Sequence, residues 1–62
     1  MPHLTQMELN TLKEIIATED VNAKKFGLYA QNCQDSQLQN LLYQESQQAH
    51  NNVKTLLGFL SQ

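Results

Sequence analysis

Seven positions in the first half of the chain constrain the fold more than any other feature. Leu12, Ile16, Glu19, Ala23, Phe26, Ala30 and Cys33 follow one another at alternating steps of four and three. That is the repeat of a helix face packed against other helices. A second stripe of the same period, Leu38, Leu42, Ala49, Val53, Leu56, Leu57 and Leu60, occupies the second half, with Ser46 at its centre. Polar punctuation around Gln34 and Asp35 separates the two. The pattern predicts an all-α antiparallel helical hairpin, with helices over about 6–32 and 37–60, as a single domain spanning 1–62.

The helix starts are marked. Thr5 followed by Glu8 forms a capping box, and Leu4 stands where a hydrophobic staple would. Ser36 and Gln39 have the same spacing, which predicts a second box near Ser36, with Asp35 favourable beside the positive end of the helix dipole. Gly27 falls in mid-helix, at a cost of up to ~1 kcal/mol relative to Ala, and is acceptable where a neighbouring helix comes close.

Glu19 is the anomaly in the first stripe. An unpaired buried carboxylate costs several kcal/mol, so a partner is expected at its level. With the turn near Gln34 and Asp35, facing residues in the hairpin have numbers summing to about 69. Ile16 then faces Val53, Leu12 faces Leu57, Leu9 faces Leu60 and Ala23 faces Ser46. Glu19 faces His50. Two readings of that pair follow: a hydrogen-bonded polar layer that fixes bundle register, or a divalent metal site built from Glu19 and His50 and duplicated in a dimer. The polar layer is preferred.

Composition excludes several classes. Four lysines, no arginine and six acids give a formal charge of −2, with no basic stripe to hold a phosphate backbone or an anionic membrane surface. No apolar run is long enough to span a bilayer, and no basic region leads into an apolar stretch at the N-terminus. A soluble, intracellular protein is expected. Nine Gln and six Asn supply the polarity, interleaved with apolar residues at helical spacing, which reads as a solvated helix surface rather than disorder. Cys33 is the only cysteine and cannot pair within the chain, which suits a reducing compartment and an inert thiol. His3, near the terminus, is expected in solvent, as is a surface pair between Lys24 and Glu45. Tyr29 and Tyr43 read as packing residues with their hydroxyls at the bundle edge.

Sixty-two residues form a marginal core, and both stripes are wider than one helix–helix contact, with Ile15 beside Ile16 and Leu56 beside Leu57. A homodimer forming a four-helix bundle is the simplest closed solution.

These residues also carry a family resemblance. Leu4-Thr5 with its acidic capping residue, the Leu-rich first turns, Glu19 followed by an aromatic-containing stretch, and the segment Leu41-Leu42-Tyr43-Gln44-Glu45-Ser46-Gln47-Gln48-Ala49-His50 resemble the spore coat protein F family and its short ferritin-like relatives. The resemblance covers most of the chain. It implies a ferritin-like four-helix bundle, a non-enzymatic structural or interaction role in the spore coat, and other coat proteins as partners. The ferritin-like di-metal pattern places a Glu on one helix opposite a Glu-x-x-His on another. Glu19 and His50 match two of its elements, but Gln47 stands where the second carboxylate belongs. The metal alternative is therefore a reduced site favouring zinc over iron, and enzymatic activity ranks third, since the catalytic constellation lacks ligands.

Overall fold

The computed structural model describes residues 4–61. Two helices, α1 (Gln6–Gln31) and α2 (Ser36–Leu60), pack side by side as a helical hairpin. His3 lies outside the described residues.

The start of α1 follows from its first four residues. The Thr5 N–H donates to Glu8 Oε1 at 2.9 Å, and the Glu8 N–H donates to Thr5 Oγ1 at 3.1 Å, so two N–H groups that the helix leaves unpaired are each taken by the other residue's side chain. The Thr5 backbone N–H, and secondarily its hydroxyl, hold the Glu8 carboxyl below the usual carboxylate range.

The turn departs from the predicted second capping box. Asp35 is itself the N-cap of α2, its Oδ1 accepting the Leu38 N–H at 2.8 Å, and Ser36 is the first helical residue. Gln39 instead reaches back across the turn and donates to Ala30 O at 2.8 Å. The choice is physical: Asp is at least as good an N-cap as Ser, and α1 ends with free carbonyls that Gln39 can reach. Asn32 serves the same end, its side chain donating to Leu28 O at 2.9 Å. Both termini at the turn are thus closed by side chains within one compact connection.

Contact between the helices runs along small residues. Ala23, Ala30, Ala49 and Ser46 are the buried residues, and among the described residues no large side chain is fully buried. The Ser46 hydroxyl donates to Ala23 O at 2.8 Å, a bond between the helices that replaces the polar group's lost water. It also fixes the expected level of Ala23 and Ser46. Gly27 sits at the same seam, where an added Cβ would stand 3.4 Å from Ser46 Oγ. The close approach that excuses a mid-helix glycine is therefore present.

The outcome is a rod of 46 × 16 × 12 Å with a radius of gyration of 14.4 Å, against about 11 Å for a compact chain of this length. Lys24 pairs along its own helix with Asp20 at 3.0 Å, rather than across to Glu45. The i,i+4 geometry requires less ordering of two long side chains, and such exposed pairs contribute little.

Two expectations follow. Gly58→Ala, with nothing within 4 Å of the new methyl group, should raise stability by up to about 1 kcal/mol through helix propensity alone, whereas Gly27→Leu should lower it by about 1–3 kcal/mol by forcing the seam apart. Thermal melts of the two variants check this contrast. Because folding depresses the Glu8 pKa, its contribution is fully present above about pH 4.3 and is lost as pH falls through the lower native value. A two-dimensional NMR titration should show the Glu8 carboxyl titrating below the usual glutamate range, with the Thr5 amide shifting in step.

Candidate functional site

At 100° per residue, α1 and α2 each divide into a contact line and two flanks. The flanks of the two helices combine into two broad faces of the hairpin, which differ sharply.

One face is apolar on both helices. From α1 it takes Ile15, Phe26 and Tyr29, and from α2 Leu38, Leu41, Leu56 and Phe59. Ile15, Tyr29, Leu38, Leu41 and Phe59 remain 43–55 % exposed, far above what large apolar side chains show in a finished core. On the opposite face α1 contributes Lys13, Asp20, Lys24 and Gln31, so the apolar residues of α2 there, Tyr43 and Leu57, have no apolar counterpart across the seam. Met7, Val21 and Leu28 lie on the outer side of α1.

Midway along the apolar face lies a polar belt, and Glu19 belongs to it. Its Oε2 accepts from Asn52 Nδ2 at 2.8 Å, and Asn52 Oδ1 in turn accepts from Gln48 Nε2 at 3.0 Å. Glu19 and Asn52 are half-buried and, with Ile15, Thr55 and Leu56, line an open groove of about 270 Å³. A second groove of about 330 Å³ is walled by α1 alone, at Ala17, Thr18, Val21, Asn22 and Lys25, and is open surface.

The partner of Glu19 is therefore Asn52 and not His50. His50 is exposed and stands two residues earlier, which places it about 200° around α2, on the opposite face of the hairpin. The facing rule gives the level of a residue along the rod but not the flank to which it points. A flank test would have singled out Asn52, because Glu19 lies toward the same side as Ile15 and Phe26.

Within one chain, Glu19 and His50 do not form a common ligand set: one carboxylate oxygen already holds the Asn52 amide, and the imidazole is on the far side. No group of three or more His, Cys, Asp or Glu side chains converges among the described residues. Cys33, half-buried at the turn, directs its thiol to Asp35 O at 3.4 Å. The Thr55 hydroxyl beside the groove is committed to Asn51 O at 3.1 Å. The groove thus offers one carboxylate, one amide and apolar walls, a set suited to hydrogen-bonded contact between surfaces.

No family model, characterised protein or solved structure matches the chain. No helix among the described residues is long and apolar enough to cross a membrane.

Exchanging residues separates the two candidate partners of Glu19. Asn52→Leu strands a half-buried carboxylate and should cost about 1–3 kcal/mol, while His50→Ala should stay within about 0.5 kcal/mol of the parent. Adding Glu19→Leu to Asn52→Leu should recover most of the loss. Chemical denaturation of these variants measures the coupling, and an equal cost for His50→Ala would show that the imidazole supports Glu19 after all.

Proposed function

We propose that the chain is a non-enzymatic assembly module, in which two hairpins associate through their apolar faces into a four-helix bundle. The observation that carries this reading is the composition of the core. Among the described residues only three alanines and a serine are buried; Leu12, Ile16, Leu42 and Val53 along the seam are no more than half-buried, and many large apolar side chains, Leu41 and Tyr29 among them, stay exposed. A burial of about 25 cal/mol per Å² of apolar surface needs large side chains removed from water, and one hairpin removes few.

Surface area supports a second copy as the cover. A compact monomer of 7.1 kDa exposes about 4,100 Å², and this chain exposes 4781 Å². A compact protein of twice that mass exposes about 6,800 Å² against twice 4781 Å² for two separate hairpins, so closing the shape would bury on the order of 2,800 Å² in total, within the range of obligate homodimers. The faces are also suited to self-association: each carries apolar ends and a belt in which amides stand beside the carboxylates Glu19 and Glu45, so two belts can supply hydrogen-bond donors to each other's carboxylates.

The resemblance to spore coat F-type proteins agrees with a structural role and suggests other coat proteins as outer partners. The apolar stripe of Met7, Val21 and Leu28 on the outer side of α1 stays free for such contacts in this arrangement.

An assembly of this kind ties folding to association. Sedimentation equilibrium should give a mass of two chains, and the melting temperature should fall on dilution. Leu41→Glu, in the middle of an apolar patch, should shift the chain to an unfolded monomer at micromolar concentration. A concentration-independent monomer that melts cooperatively would overturn the proposal.

A further inference from the structure

Each half of the apolar face reads the same in both directions. On α1, outward from a point between Asp20 and Val21, the face shows a polar pair, Glu19 and Asn22, then Ile15 and Phe26, then Leu12 and Tyr29. On α2, outward from a point between Gln48 and Ala49, it shows Glu45 and Asn52, then Leu41 and Leu56, then Leu38 and Phe59.

The two midpoints are level. The bond from Ser46 to Ala23 O sets the register, and each midpoint lies two to three residues from it toward the open end of the hairpin. A single axis, lying in the face and crossing the rod at right angles, therefore passes through both.

From this we infer that the four-helix bundle is a two-fold dimer of hairpins laid head over tail, the turn of one copy resting on the open end of the other. The inference rests on the dimer proposed above and specifies its symmetry. Under that operation α1 packs antiparallel on α1 of the second copy and α2 on α2. Phe26 meets Ile15, Tyr29 meets Leu12, Leu41 meets Leu56 and Leu38 meets Phe59, so every apolar level finds an apolar level.

The belt matches as well. Glu45 of one copy comes opposite Asn52 of the other, and Glu19 opposite Asn22, so both carboxylates meet amides in a face that offers no lysine. Asn52 has the donors for this: one N–H is given to Glu19 within the chain, its oxygen is taken by Gln48, and its second N–H is directed to a carboxylate of the second copy. The alternative two-fold axis, parallel to the rod, would set turn on turn. It would set Phe26 midway between Leu41 and Glu45, and Ile15 midway between Asn52 and Leu56, so that apolar levels fall half on polar ones, which the head-over-tail axis avoids.

The two arrangements separate the turns by very different distances. Gln34 is exposed in the turn, so a nitroxide on Gln34→Cys in a Cys33→Ser background reports the separation without touching the face. At 1.5 Å per residue, the head-over-tail dimer holds the two labels on the order of 40 Å apart, whereas turns stacked on turns bring them under about 20 Å. Pulsed dipolar spectroscopy should show the long distance alone, in a sample whose sedimentation mass is that of two chains. A short distance in such a sample would overturn the head-over-tail symmetry while leaving the dimer standing. A single-chain mass with no dipolar modulation would overturn both.

Discussion

The seam of small residues between the helices determines everything else about this molecule. Ala23, Gly27 and Ala30 on α1 meet Ser46 and Ala49 on α2, and only side chains of that size let the backbones come close enough for Ser46 to reach Ala23 O at 2.8 Å. Close approach brings specificity of register, since a shift of one residue would bring larger neighbours into the seam. Its consequence is a core with little apolar volume. Large apolar side chains that would line the interior of a wider-spaced pair are left half-buried or exposed, and Ile15, Phe26, Tyr29, Leu38, Leu41, Leu56 and Phe59 gather on one face.

That face combines two requirements that usually conflict. In the proposed dimer its apolar ends supply the area for association, and its central belt supplies direction. Glu19 is held by Asn52 within the single hairpin, so its carboxylate is oriented in advance, and in the proposed dimer part of its desolvation is already compensated. A polar layer of this kind contributes more to choosing one arrangement than to stability, which is the use for which buried polar groups are best attested. The amide-rich composition fits the same logic. Amides hydrogen-bond in either direction, so in the proposed dimer Asn22 and Asn52 of one belt can serve the carboxylates Glu19 and Glu45 of its copy.

The sequence displayed the fold in considerable detail. The Thr5–Glu8 box, the hairpin, the level of Ala23 and Ser46, and the close approach at Gly27 all followed from period, spacing and side-chain size. What remained hidden were choices among groups of nearly equal merit. Asp35 and Ser36 are both good caps, and Gln39 had two possible tasks; the Ala30 carbonyl, which also accepts the Cys33 N–H, takes the Gln39 amide as a second donor. The partner of Glu19 was misplaced because level and flank are separate coordinates, and two residues along a helix change the flank almost completely. Within the chain the structure offers Glu19 an amide, that of Asn52, in place of an imidazole.

The central claim is that one particular face of the hairpin is covered in the working protein while the others remain wet. Solvent paramagnetic relaxation enhancement of side-chain methyl groups tests it residue by residue, because a soluble gadolinium chelate broadens only what water can reach. The account predicts that the methyls of Ile15, Leu38, Leu41 and Leu56 are protected, and that those of Met7, Val21 and Leu28 are strongly broadened. Equal broadening of Leu41 and Met7 would contradict it.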